Sequence, residues 1–207
     1  LARKFIDFTS DKDRMIHAMN RTRRKQSKYG PRSATSLWAY VKRLNNNRAK
    51  KTASAIVEFA AQNSVDVIVM EHLDFKCCKK RGSKAQKLSM WNHGAIRKCV
   101  EQKAHLRGIR IATICAWKTS ALAFDGSGSV ARDDNNHALA TFTTGKQYNC
   151  DLSASYNIGA RYFIRELLKS LSATEESRVK AKVPDVGRRT SCTLSTLRTL
   201  VKELAAA

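Results

Sequence analysis

No stretch of this chain approaches the roughly 18 consecutive apolar residues that a bilayer-spanning helix needs, which excludes membrane insertion. No signal-peptide pattern is present, and neither an internal repeat nor a low-complexity tract occurs. Acids are scarce beside bases: 17 Asp and Glu face 39 Lys and Arg, leaving a net charge of +22 and a pI near 10.2. So large an excess excludes an ordinary solvated surface and predicts a polyanionic partner. The 207 residues have room for one domain with a real core, or one domain plus a tail. A hydrophobic content of 43% excludes a disordered basic tail. Six cysteines in a chain too large to need staples predict reduced thiols in a cytoplasmic compartment, with Cys99 and Cys115 buried in apolar settings.

The charge is not spread evenly. Lys12 to Lys51 holds thirteen basic residues and one acid, a net of +12, and Lys76 to Arg110 holds eleven and one, a net of +10. The other 132 residues sum to zero. Two basic walls are expected, not a uniform coat.

The pattern predicts a strand at residues 4–8, capping by Thr9, Ser10 and Asp11, and a basic helix from about Lys12 to Ser27 that Gly30-Pro31 breaks. A second helix should run from Ser33 to about Asn63, weakened near Asn45 to Asn47. Val65 to Met70 is an apolar run of strand length, expected to be covered on both faces. Trp91 to Leu106 reads as a helix stopped by Gly108, and Ile109 to Cys115 as a strand parallel to the first. Residues 118–150 read as a long loop or small insertion. A helix follows from Ser153 to Leu171, then a polar, loop-like stretch over 172–192. A short amphipathic helix on Leu194, Leu197, Val201 and Leu204 closes the chain.

Two acids stand where a carboxylate is costly without a task. Glu71 follows the apolar run at the strand's carboxyl end, where open α/β sheets place ligands, and Asp151 lies near the start of a helix whose dipole keeps it ionised. Between basic walls, converging carboxylates suit two-metal phosphodiester hydrolysis. There hard oxygen ligands hold Mg²⁺ or Mn²⁺ ions about 4 Å apart, and basic side chains hold the phosphates. The plainer accounts are that Glu71 marks the chain leaving its core and Asp151 caps a helix.

Ser64 to Phe75 (SVDVIVMEHLDF) and Asn149 to Tyr162 (NCDLSASYNIGARY) together resemble the second and third RuvC motifs of the TnpB (OrfB) proteins of bacterial insertion sequences, relatives of the type V CRISPR effector nucleases. Glu71, His72 and Leu73 meet the second motif. Asp151, Ser153, Ala154, Ser155, Asn157 and Ile158 meet the third. Trp117-Lys118-Thr119-Ser120 is similar to the family's Asn-Thr-Ser strand end, and the likeness covers about residues 4–171. It implies an α/β, RNase H-like (RuvC-type) mixed sheet with flanking helices and incomplete N-terminal strands. It also implies an RNA-guided, Mg²⁺- or Mn²⁺-dependent DNA endonuclease, with Glu71 and Asp151 as catalytic metal ligands and DNA and a guide-type RNA as partners. The domain would span 1–171 with 118–150 inserted, and 172–207 would form a C-terminal tail.

The chain departs from that family twice. The first motif, an Asp in a Gly-rich strand, is not visible; Phe5-Ile6-Asp7-Phe8 lacks the glycines, so the third carboxylate is expected upstream of Leu1 in a longer protein. Where relatives carry a four-Cys zinc ribbon, only Cys150 remains, and a tetrahedral site needs four ligands, so no zinc is expected. Asp125 reads as a turn acid before Gly126, and His137 and Cys77-Cys78 are assigned no chemistry. The alternative reading is a catalytically inactive or accessory DNA/RNA-binding, transposase-related protein. A ribosomal-type RNA-binding protein would explain the charge but not the paired acids.

Phosphate contacts are assigned to Arg21, Arg23, Arg24 and Lys25, which lack acids at i+4, and to Lys79, Lys80, Arg81, Lys84 and Lys87, close in sequence to Glu71. Trp38, Tyr40 and Trp91 are of the type that stacks bases, but on amphipathic helices they are more often core.

Overall fold

The structure, a computed structural model, describes residues 2–73, 90–188 and 190–206. It divides into two compact units: the described residues of Leu1–Ile68 and Phe75–Ile111, and those of Val69–Asp74 and Ala112–Ala207.

In the first unit, residues 2–8 are irregular rather than a strand, and Phe5 is exposed. Alternation makes a strand only beside a partner that takes its backbone hydrogen bonds, and no described strand pairs with this segment. Helix α1 (Thr9–Tyr29) starts earlier than the capping residues suggested. The Thr9 hydroxyl donates to Asp7 Oδ2 at 2.7 Å instead of capping, and Asp11 pairs with Lys51 Nζ at 2.6 Å. Gly30, at φ 88°, ends α1; a 3₁₀ turn over Pro31–Ala34 leads into α2 (Thr35–Gln62). Met15, Ala18 and Val41 form the seam between the helices, with Trp38 and Leu44 packed against it. The Asn45–Asn47 run does not interrupt α2, because Asn45 is buried and its backbone carbonyl also accepts from Asn92 Nδ2 at 3.1 Å. Helix α3 (His93–His105) packs on α2 through the fully buried Val100 and Ala104.

Strands β1 (Val67–His72) and β2 (Arg110–Cys115) pair in a two-stranded parallel sheet, the expected crossover unit. β1 is half-buried along most of its length rather than covered on both faces.

In the second unit, the stretch expected to be a long loop or small insertion carries an antiparallel sheet of β3 (Ala131–Arg132), β4 (Leu139–Thr141) and β5 (Gln147–Asn149), with Ala140 opposite Tyr148. Its interior is aromatic. Phe124 meets Phe142 edge-on at 5.6 Å between ring centroids and Tyr148 at 5.0 Å, and Lys146 Nζ lies 4.8 Å from the Phe124 ring centroid. The Asn149 side chain caps α4 (Cys150–Lys169) by accepting from Leu152 N.

The polar stretch after α4 is not a loop. α5 (Ala173–Lys182) forms there on a capping box, with the Ser172 hydroxyl facing Glu175 N and the Glu175 carboxylate facing Ser172 N. A 3₁₀ turn at Pro184–Gly187 and α6 (Leu194–Ala205) follow. Ile164, Val179, Val183, Val186, Cys192 and Leu200 make one buried cluster. The face of α6 differs from the expected one: Leu200 is fully buried while Val201 is half exposed. The thiols differ too, with Cys115 exposed, Cys99 half-buried, and Cys150 and Cys192 buried; all four are free. Gly126, at φ +84°, lies against α6, where a Cβ would come within 2.9 Å of Ser195 Cβ, so only glycine fits that turn.

Candidate functional site

Glu71 is the penultimate residue of β1, and its side chain is half-buried. The Thr119 hydroxyl donates to Glu71 Oε1 at 2.7 Å and lies 3.0 Å from the Ala116 carbonyl, while Thr119 itself is buried. Thr119 is in turn held from α4. Asn157, fully buried, donates from Nδ2 to the carbonyls of Thr119 at 3.0 Å and Leu122 at 2.9 Å, and its Oδ1 accepts from Leu194 N at 3.3 Å. Two hydrogen bonds thus join the three motif segments, Glu71 to Thr119 and Thr119 to Asn157, across 48 and 38 positions of sequence.

Asn157→Ala should cost about 2–4 kcal/mol, because it deletes three hydrogen bonds and leaves the buried Thr119 carbonyl and the part-buried Leu122 carbonyl without this donor. Asn157→Asp should cost more, since a carboxylate cannot donate to two carbonyls. Chemical denaturation of the two variants checks both the size and the order.

Asp151 lies exposed in the first turn of α4. Among the described residues, no group of three His, Cys, Asp or Glu side chains gathers into a metal cage. Carboxylate oxygens are hard donors that would fit Mg²⁺ or Mn²⁺ better than a thiophilic ion, and Glu71 and Asp151 together would still need a further ligand. Asp125 is a turn acid, as expected: its Oδ1 accepts from Ser127 N at 3.0 Å. Burial pushes its carboxyl up, but the Ser127 hydrogen bonds and the Lys146 charge outweigh that and hold it below the usual range.

The residue that sequence reasoning passed over is Arg161. It is buried, yet among the described residues no carboxylate pairs with it directly. Its Nε donates to Cys192 O at 3.1 Å, Nη1 to Cys115 O at 3.0 Å and Trp117 O at 2.7 Å, and Nη2 to Thr190 O. Burial lowers its pKa, with the Cys192, Cys115 and Glu71 side chains opposing that shift. Burial likewise raises the Cys192 thiol, so the neighbouring sulfur stays neutral at physiological pH. A cavity of about 440 Å³ lies beside this guanidinium, lined by Thr113, Cys115, Arg165, Leu168 and Cys192. Glu71 and Asp151 are not among its lining residues.

Arg21, Arg23, Arg24 and Lys25 are all exposed on α1 in the first unit. Lys79, Lys80, Arg81, Lys84 and Lys87, like Cys77-Cys78, lie outside the described residues. Of the aromatic candidates, Trp38 packs into the α1–α2 seam as core, whereas Tyr40 and Trp91 are 37% and 47% exposed. No described helix is long and apolar enough to cross a membrane.

No family model matches the chain, and no curated protein does. Among solved structures, the chain is similar to the protein of a cryo-EM structure of the Cas12f1-sgRNA-target DNA complex, with a TM-score of 0.54 and 18% identity. The match covers 76% of this chain and 44% of that one, so this chain spans less than half of its neighbour's length. The α/β, RuvC-type fold class expected from the motifs is what this likeness shows.

Proposed function

We propose that the chain is the RuvC-type part of a TnpB-like, RNA-guided, metal-dependent DNA endonuclease, carried by residues 1–171 with 118–150 as an insertion. One observation carries the reading: the Glu71–Thr119–Asn157 chain of hydrogen bonds physically joins three segments that sequence alone grouped only by resemblance. The neighbour's complex with a guide RNA and target DNA supports the same partners here. Glu71 and Asp151 would hold Mg²⁺ or Mn²⁺, which when bound supplies an activated water and stabilises the leaving oxygen. Thr119 orients the Glu71 carboxylate by occupying one of its oxygens. The exposed Arg21, Arg23, Arg24 and Lys25, with Lys79, Lys80, Arg81, Lys84 and Lys87, would neutralise phosphates. A third carboxylate, in a Gly-rich strand encoded upstream of Leu1, would complete the site.

The charge excess makes a separate expectation. Oligonucleotide affinity should fall steeply with salt, log K against log[salt] having a slope of about −4 or steeper if five or more phosphates are neutralised. A slope near zero in a fluorescence-anisotropy titration would overturn the nucleic-acid reading. If binding holds but the upstream coding sequence supplies no strand with such an Asp, the accessory-binder reading replaces the nuclease.

A further inference from the structure

Trp117 is 65% exposed, two residues before the threonine that holds Glu71. An exposed tryptophan on a slack loop would mean little, but this loop is not slack. Every carbonyl from residue 115 to 119 accepts a hydrogen bond. Cys115 O and Trp117 O take Arg161 Nη1, Ala116 O takes Thr119 N, Lys118 O takes Ala121 N at 3.2 Å, and Thr119 O takes Asn157 Nδ2. Lys118 is held at φ +60°, a conformation that costs a non-glycine residue and persists only where the surroundings enforce it. A buried arginine and a buried asparagine therefore hold rigid a turn that presents an indole to solvent. Among the described residues the ring has no aromatic or cationic neighbour. Two residues of chain span at most about 7 Å, so the Trp117 backbone lies that close to Thr119, itself hydrogen-bonded to Glu71. Lys118 adds an exposed cation between them in sequence.

We propose that Trp117 is a stacking platform for one unpaired nucleobase of a single-stranded polynucleotide, with Lys118 on the adjoining phosphate, so that the strand is positioned beside Glu71. This rests on the reading that the Glu71 site receives a polynucleotide, and it names how the strand is gripped. Stacking suits the task because every base offers a π-face, so the platform tolerates any sequence. Preorganisation of the turn spares the ordering cost on binding.

The test is binding in metal-free buffer containing EDTA, which no failure of cleavage can confound. Short oligo-dT and oligo-U strands are titrated against the 207-residue chain and its Trp117→Ala and Trp117→Tyr variants by anisotropy. Trp117→Ala should weaken one or both strands about tenfold, within the range that stacking one base supports, and Trp117→Tyr should restore most of it. The arm that weakens identifies DNA or RNA as the strand held. Strands with a single abasic position, walked along the oligonucleotide, should reproduce the loss at one register on the unmutated chain and leave Trp117→Ala unaffected. Unchanged affinity for both strands in Trp117→Ala, or equal sensitivity of both proteins to the abasic position, overturns the proposal. If Trp117→Ala instead changes only the sedimentation of the free chain, the indole is a self-association contact and the proposal also fails.

Discussion

Glu71→Gln and Asp151→Asn should each reduce Mg²⁺-dependent cleavage of a labelled DNA strand by about a hundredfold or more while leaving binding in EDTA within about twofold of the unmutated protein. Both substitutions preserve shape and remove one negative charge. A neutral amide is a weak ligand for a hard divalent ion, so the loss falls on ion affinity and on the charge balance of the transition state. The Glu71→Gln carbonyl can still accept from the Thr119 hydroxyl, so this variant should fold as well as its parent. Binding should survive because a net charge of +22 holds the phosphates, and removing a carboxylate only raises it. The assay uses the protein as its gene encodes it, with the guide-type RNA proposed above, over a Mg²⁺ and Mn²⁺ titration. Unimpaired cleavage by either variant would remove that residue from the site.

The second large effect falls on stability. Arg161→Met should cost about 3–5 kcal/mol, a sizeable part of the 5–15 kcal/mol that holds a typical domain together. The guanidinium links carbonyls at the end of β2 with carbonyls near the start of α6, and methionine fills similar volume but leaves four acceptors, one buried and three part-buried, without their donor. Arg161→Lys separates charge from geometry. An ammonium restores the charge but cannot span the four acceptors as the planar fork does, so it should recover less than half of the loss. At about 2–4 °C per kcal/mol for a chain of this size, Arg161→Met should melt roughly 6–20 °C lower by circular dichroism. A lysine variant that melts with its parent would show that charge, not the fork, stabilises the region.

How much of this could be read from the residues depends on whether the signal was local. Val65 to Met70 announced β1 because an apolar run needs only its own composition, and Gly30 and Gly108 marked where helices stop. The Ser172–Glu175 capping box was equally local, yet the polarity of residues 172–192 hid it, and a helix was read as a loop. Phe5-Ile6-Asp7-Phe8 erred in the other direction, since alternation cannot report whether a partner strand exists. Thr119 stood inside a segment picked out by resemblance, but its contact with Glu71 spans 48 positions and no periodicity encodes it. Arg161 is the sharpest case. Arginine is expected at the surface, and only the assembled fold shows four carbonyls converging on one side chain.

The cluster formed by Ile164, Val179, Val183, Val186, Cys192 and Leu200 bears on how the protein can be handled. A chain ending after Leu171 would keep both candidate carboxylates and would look, by motif, like a trimmed nuclease. It would also turn Ile164, Leu167 and Leu168 out to water along one side of the helix that begins beside Asp151. An uncovered apolar stripe of that kind invites aggregation. Expression boundaries, fusion joints and premature stops in this region therefore bear on solubility first, and a loss of activity there would say nothing about chemistry.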